Sequence, residues 1–346
     1  MPFDSDGRTE ATRARAPQNR TLELSDAEMR EHRKDLLSLS HPVTLEDVLD
    51  RTICQDMTSA IPHLPSGFVD LLILDPPYNL AKSFNGTRFS RRSVASYSGW
   101  MQEWFVPLLR LLKDTASVYV CGDWLTSVSI HEVLSEHLEV RNRITWEREK
   151  GRGAKSNWKN CSEDVWFATV GDTYFFDAEA VKVRRRVLAP YRVNGKPKDW
   201  QEEEDGGFRL TCPSNLWTDI TVPFWSMPEN TEHPTQKPEK LIAKLILSSS
   251  RPGDCVLDPF LGSGTTSVVA RKLGRRFVGI ETDERYCCIA EKRLRRASED
   301  QTIQGYADGV FWERNTLQQQ MRSARNEGRA EGAARHQEAL PFDAEE

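Results

Sequence analysis

Cys255-Val256-Leu257-Asp258-Pro259-Phe260-Leu261-Gly262-Ser263-Gly264-Thr265-Thr266 decides the fold class. Its first four residues read as a short buried strand, and the glycines that follow permit a tight turn with close backbone approach to a ligand. A helical pattern then runs to Leu273, with Gly274 placed as its C-terminal stop. Arg276-Phe277-Val278-Gly279-Ile280-Glu281 is a second strand, ending in an acid. Strand, Gly-rich loop, helix, strand and carboxylate occupy about 28 residues, the length of a nucleotide-binding βαβ unit. The terminal carboxylate is placed to accept hydrogen bonds from ribose hydroxyls. A dinucleotide loop would carry a third glycine and a phosphate loop would carry Gly-Lys-Ser/Thr, and neither stands here. Asp258 beside the loop suits a cationic amino acid group better than a pyrophosphate.

A second strand end lies far upstream. Val69-Asp70-Leu71-Leu72-Ile73-Leu74 reads as a buried strand of a parallel sheet, and it runs into Asp75-Pro76-Pro77-Tyr78. Two prolines can continue neither a ladder nor a helix interior, so the chain must turn out at the carboxyl edge of the sheet, where open α/β folds bind ligands. The motif presents a carboxylate (Asp75), a proline carbonyl (Pro76) and an aromatic face (Tyr78). Two acceptors can hold an NH2 group while the ring, rather than its hydroxyl, stacks on a planar base.

Asp75-Pro76-Pro77-Tyr78 resembles motif IV, and Asp258 through Thr266 motif I, of the S-adenosylmethionine-dependent DNA amino methyltransferases. Motif IV precedes motif I, the order of the β group. His233-Pro234-Thr235-Gln236-Lys237-Pro238 is similar to that group's motif X, and Cys54-Gln55-Asp56 stands where the family usually has Gly-Asp, so Gln55 departs from the pattern. The resemblance covers roughly residues 50–297. It implies a doubly wound, mostly parallel α/β sheet of Rossmann-like methyltransferase type with an inserted target-recognition region. It also implies S-adenosylmethionine as cofactor. Glu281 would hold its ribose, Asp56 would face the adenine, and Asp258 and Gly262 would line the methionine end. Gly264 and Thr265 would also bind the cofactor, Phe260 would approach another part of it, and Pro234 and Thr235 would close the pocket. Asp75, Pro76, Pro77 and Tyr78 would be the catalytic set, acting on the N6 amine of an adenine in double-stranded DNA.

The chemistry of that amine agrees. Its lone pair is delocalised into the ring, so acceptors on both N–H bonds would favour an sp3-like nitrogen and stabilise the charge that develops on it. A base inside a duplex is out of reach and must flip out, at a cost of a few kcal/mol. Cytosine-C5 chemistry needs a thiolate after proline, and the chain has no Pro-Cys pair. Cytosine-N4 methylation shares the geometry, but its family members commonly replace the first acid with serine. RNA or protein-glutamine substrates usually go with asparagine at that position. A catalytically silent DNA-binding subunit would have no need for Asp75, Tyr78, Gly262 and Glu281 together.

Composition bounds the rest. A net charge of −5 argues against a uniformly DNA-attracting surface, yet residues 141–200 hold 14 Lys or Arg against 8 Asp or Glu, interleaved with Trp146, Trp158, Tyr191 and Trp200. Arg152, Lys155, Lys159 and the run Arg184-Arg185-Arg186 are therefore candidates for phosphate or base contact. Arg88 and Arg91 join them from the polar loop 81–98, a candidate lid. Seven cysteines without Cys-x-x-Cys spacing suggest reduced thiols in the cytoplasm and no metal site. No secretory signal or membrane-crossing run is visible. A cognate restriction endonuclease and a homodimer are the further partners left open.

The expected organisation is a disordered tail over 1–20, a catalytic half over 21–149 and a target-recognition insertion over 150–230. A cofactor-binding half over 231–297 and a helical or disordered tail over 298–346 complete it. Within these, helices are expected from Glu28 to Leu37 behind a Ser25 cap, at 99–112 and 124–137, and strands at 117–121, 139–145 and 165–168.

Overall fold

The computed structural model describes residues 16–79, 82–84, 87–89, 92–148, 157–187, 191–203 and 206–314. Its centre is an eight-stranded sheet. Arg51–Cys54, Arg276–Glu281, Cys255–Asp258, Val69–Leu74 and Leu112–Gly122 lie side by side in that order, all parallel. Ser162–Thr169 adds antiparallel to Leu112–Gly122, and Glu139–Glu147 antiparallel to Ser162–Thr169. Leu216–Trp217 ends the sheet parallel to Glu139–Glu147.

Alternate residues of the central strands feed two cores. Leu72 and Leu74 face Met101, Trp104, Phe105 and Leu108 of helix Val94–Leu109 and Ile130, Val133 and Leu134 of helix Ser127–His137. Leu71, Ile73 and Val256 face Leu241, Ile242 and Leu245 of helix Glu239–Ser249 and Val268 and Val269 of helix Thr265–Lys272. A strand covered on both sides is apolar where it is covered, which is why 71–74 reads as a continuous run, while Asp70, only half-buried at the strand's start, pairs with Lys113 at 2.7 Å. Each such side chain contributes about 1.5–3 kcal/mol on burial.

From Leu74 the chain proceeds through helix Val94–Leu109 to the neighbour on one side, and from Asp258 through helix Thr265–Lys272 to the neighbour on the other. The two helices cover opposite faces, so the connections diverge between Val69–Leu74 and Cys255–Asp258. That divergence opens a crevice at their carboxyl ends.

Several expected boundaries move. The N-terminal helix is Asp26–His32, with the expected Ser25 capping box, and it stops short because Leu37 is drawn beside the sheet. Its N–H donates to Thr52 at 2.9 Å and its carbonyl accepts from Cys54 at 2.8 Å. The helix expected at 99–112 begins at Val94, where Ser93 caps the N–H of Ser96. This shortens the loop 81–98, in which Lys82–Phe84 pairs with Thr87–Phe89. Residues 1–15 of the expected N-terminal tail lie outside the described residues, while Arg20 N–H donates to the Trp225 carbonyl at 2.7 Å.

The largest difference concerns 150–230. Ser162–Thr169 belongs to the main sheet, deep between two strands, so this block is not one insertion. What stands outside is a second sheet ordered Gln201–Glu203, Gly206–Thr211, Val183–Arg186, Val310–Trp312 and Tyr306–Ala307. Its last two strands come from the segment expected as a helical or disordered tail, of which 315–346 lies outside the described residues. They form a hairpin over Asp308-Gly309, both at positive φ (53° and 74°), the conformation of a two-residue type I′ turn. Asp219 joins this sheet's surroundings to helix Glu239–Ser249. Lys244 lies 2.8 Å from both its carboxylate oxygens, over the rings of Trp217 and Phe311, and Lys240 lies 2.8 Å from one of them.

Candidate active site

The crevice at the switch point holds the residues that the two strand ends carry. Asp75 leaves Val69–Leu74 directly into the Pro-Pro turn, which is pinned on its far side. Tyr97 donates to the Pro77 carbonyl at 2.8 Å, and Asn79, buried, accepts the Arg92 N–H at 2.7 Å and takes the Thr126 hydroxyl on its own N–H at 3.0 Å. Asn79 thus ties the turn to the start of helix Val94–Leu109, a role the sequence reading did not assign.

Both oxygens of Asp75 carry donors. The Tyr78 hydroxyl donates to Oδ1 at 3.0 Å and the Lys237 ammonium to Oδ2 at 2.6 Å. Lys237 also lies 5.3 Å above the Tyr78 ring centre. Glu163, from the antiparallel strand Ser162–Thr169, approaches the same two donors and is ion-paired to Arg148. The Tyr78 hydroxyl is therefore engaged, contrary to the expectation that only the ring matters. Burial, with Asp75 and Glu163 beside it, pushes that hydroxyl well above its ordinary value. Burial pulls the Lys237 ammonium down, but Asp75 and Glu163 outweigh it and leave it raised, a cation at neutral pH.

Across the crevice, Asp258 is buried. Its carboxylate accepts the Phe260 N–H at 2.9 Å and the Thr266 hydroxyl at 2.6 Å. Burial pushes its carboxyl up to about 7, only partly opposed by those two bonds. Gly262 and Gly264 take positive φ of 54° and 86°. A Cβ on Gly264 would lie 2.5 Å from that of Ala290, and one on Gly262 would lie 3.0 Å from His233 Nε2. The loop is thus fitted closely to helix Glu284–Glu299 and to the His233 ring. Burial, helped by Lys237, pushes His233 down to about 4, so the ring is neutral at pH 7. Glu281 accepts the Gly262 N–H at 2.9 Å and the Asp283 N–H at 2.8 Å, fixing the acid at the strand end against the loop.

A cleft of about 390 Å³, its open mouth included, brings Asp75, Lys237, Thr235, Asp258, Phe260, Gly262 and Thr265 together. Phe260 also packs edge-on against Trp104, with ring centres 5.0 Å apart. Of the other expected site residues, Pro76, Pro77, Tyr78, Gly264, Glu281, Asp56 and Pro234 are not among its walls. Asp56 is exposed at the end of Arg51–Cys54, next to Arg276–Glu281, where it caps the short helix Met57–Ala60 through the Thr58 N–H at 2.8 Å. Gln55, the departure from the family pattern, clamps Leu39 through a 2.8 Å bond from the Leu39 N–H and a 3.1 Å bond to its carbonyl.

The expected DNA-contact residues are not all comparable. Arg91, Arg152 and Lys155 lie outside the described residues, and of Arg88 only the backbone, in Thr87–Phe89, is described. Lys159 and Arg186 are exposed. Arg184 lies over the rings of Phe208 and Trp312, and Arg185 faces Glu313 at 4.0 Å, so two of the three arginines in the run serve the second sheet's own packing. Lys237 and Glu163 were missed. Lys237 stood in the quoted His-Pro-Thr-Gln-Lys-Pro segment, whereas nothing local marks Glu163.

A catalytic-type strand end, a Gly-rich loop and an acid at one switch-point crevice define a Rossmann-like methyltransferase fold. A family model described as DNA methylase matches residues 69–292, and the chain belongs to this N6/N4 DNA methylase family. It is 32% identical over 250 residues to the DNA adenine methyltransferase YhdJ of Escherichia coli K12, covering 70% of this chain and 82% of that protein. It is also 32% identical over 248 residues to the type II methyltransferase M.HpaI of Haemophilus parainfluenzae, covering 70% and 74%. Among solved structures, the cytosine-N4-specific PvuII DNA methyltransferase shares the fold, with a TM-score of 0.52, 17% identity and coverage of 72% and 90%. No helix among the described residues is long and apolar enough to cross a membrane.

Proposed function

We infer that this chain transfers a methyl group from S-adenosylmethionine to the N6 amine of an adenine flipped out of double-stranded DNA. The observation that carries this is Asp75, a carboxylate at the switch-point edge that shares one cleft with Asp258 and the Gly262–Thr265 loop. The cofactor, when bound, supplies an activated methyl group on a sulfonium sulfur. Buried Asp258 suits a cationic ammonium, and Glu281 keeps acceptor capacity on Oε2 beyond its bond to Gly262. Asp75 and the Pro76 carbonyl accept the two N–H bonds of the target amine, which raises the nitrogen's nucleophilicity and stabilises its growing charge. The ring of Tyr78 stacks on the base. Asp56 and Glu281 take the nucleoside end of the cofactor, while Pro234, Thr235 and Phe260 close over it.

The exposed Lys159 and Arg186 contact DNA phosphates, and by their place in the sequence Arg88, Arg91, Arg152 and Lys155 are the further candidates for such contacts. The likeness to a type II methyltransferase makes a cognate restriction endonuclease the partner to seek, in the cytoplasm beside the DNA.

The test is digestion of DNA treated with purified protein and S-adenosylmethionine, followed by nucleoside mass spectrometry. N6-methyldeoxyadenosine is the expected product. N4-methyldeoxycytidine would replace adenine by cytosine in this reading, and no methylated nucleoside would overturn it.

A further inference from the structure

The inference drawn here rests on the reaction proposed above. An incoming amine needs an oxygen of Asp75, and in the free protein each already carries a donor, Oδ1 the Tyr78 hydroxyl at 3.0 Å and Oδ2 the Lys237 ammonium at 2.6 Å. A lone pair is left on each oxygen, but the bound ammonium draws off the negative charge that makes the carboxylate a strong acceptor. Neither donor can simply leave. Lys237 has a side chain only 9% exposed, and stripping its partner without a replacement would strand a buried cation, a cost of several kcal/mol. The site contains the replacement. Glu163 Oε2 lies 3.2 Å from the same Tyr78 hydroxyl and 3.5 Å from the same Lys237 ammonium. Its other oxygen is ion-paired to Arg148, which fixes the carboxylate while leaving Oε2 turned to the pair. Glu163 is 5% exposed and projects from Ser162–Thr169, a strand locked between two others, so it cannot follow the ligand.

We propose that Glu163 is a positioning residue for methyl transfer: it is the acceptor to which Lys237 and the Tyr78 hydroxyl shift when the target amine takes Asp75. The shift is a matter of about an ångström, since both donors already lie between the two carboxylates. No proton changes hands. Lys237 remains an ammonium and Tyr78 a phenol, and the two carboxylates exchange hydrogen-bond partners. Asp75 is thereby released to the amine while the buried Lys237 ammonium keeps a counter-ion; Asp75, less buried at 22% exposed, exchanges that ammonium for the N–H of an amine on which positive charge develops. This explains why a second acid sits buried within reach of the first, an arrangement that would be repulsive without the shared lysine.

The experiment compares steady-state methylation by wild type, Glu163→Gln, Glu163→Asp, Lys237→Met and the Glu163→Gln/Lys237→Met double variant, with unmodified protein first shown to make N6-methyldeoxyadenosine. If wild type makes none, the proposed reaction fails and Glu163 is not at issue. Given an active wild type, Glu163→Gln keeps shape and an acceptor oxygen but loses the charge. Its kcat should fall about tenfold or more, with KM for S-adenosylmethionine and for DNA within about twofold and the thermal midpoint near wild type. Glu163→Asp, retaining the charge, should recover part of the loss. In the Lys237→Met background the Glu163→Gln change should cost little more, because the cation to be received is gone. A wild-type kcat for Glu163→Gln overturns the proposal. So does an undiminished cost in the Lys237→Met background, or a loss shared equally by kcat, KM and thermal midpoint, which would make Glu163 a packing residue for Arg148.

Discussion

Gly262 donates its N–H to Glu281 Oε2 at 2.9 Å, so the acid that ends one strand holds in place the glycine loop that follows its neighbour. In the proposed reading, the same carboxylate that shapes the loop also holds the ribose. Glu281→Ala should weaken S-adenosylmethionine binding by about 1–3 kcal/mol, the cost of losing charge-assisted bonds. Glu281→Gln keeps an acceptor for Gly262 and should lose less. Titration calorimetry is the measurement, and unchanged affinity in the alanine variant would mean that the ribose is held elsewhere.

Asp75→Ala should abolish transfer while leaving cofactor affinity within a few-fold. Lys237 retains Glu163 as a partner in that variant, so the site should stay folded. Single-turnover transfer at a near wild-type rate would sink the proposed role of Asp75.

Tyr78→Phe is expected to matter, because the hydroxyl bonds Asp75 and faces Glu163. Loss of one such bond is worth about 1 kcal/mol, or roughly fivefold in rate. Its effect should appear in turnover and not in base extrusion. With 2-aminopurine at the target, the fluorescence rise on binding should persist in Tyr78→Phe and shrink in Tyr78→Ala. Equal loss of the fluorescence signal in both would shift the stacking role from the ring to the hydroxyl.

If Asp258 meets the cofactor's ammonium as proposed, cofactor binding should depend on pH. Burial raises its carboxyl to about 7, so without a ligand the group is half protonated near neutrality. A cationic ammonium favours the ionised form, so affinity should rise between pH 5.5 and 8 and level off above that. The sign for stability is opposite. A folded-state value above the ordinary 3.8 means that the folded chain holds the extra proton, so this stabilising contribution is present at low pH and is lost as pH rises through about 7. Calorimetric affinity that is flat over this range would remove Asp258 from the ammonium.

Lys159→Ala and Arg186→Ala should each weaken binding to cognate and scrambled duplexes alike and lower the salt slope by about one. Arg184→Ala should instead lower the thermal midpoint, since its guanidinium lies over Phe208 and Trp312. Affinity measured against salt separates the two behaviours, and an unchanged slope for both exposed residues would remove them from the DNA path.

Local patterns in the chain were enough to locate the two strand ends and to tell their chemistry apart. An apolar run broken by Pro76 and Pro77 has to leave the sheet, and Gly262 and Gly264, directly after the strand that ends at Asp258, permit the tight loop found there. The Asp308-Gly309 hairpin escapes such a reading: an Asp-Gly pair stands before Val310-Phe311-Trp312, but the Glu, Arg, Gln and Ala content of 298–346 as a whole points to a helical or disordered tail. Only the tertiary structure could decide that Lys237 and Glu163 meet at Asp75, from 162 positions away in one case and from a third strand in the other. Residue spacing constrains geometry within one turn or one strand. Which strand lies beside which is settled by how the whole chain buries its two apolar faces, and that same sorting carried Ser162–Thr169, with Glu163, into the sheet.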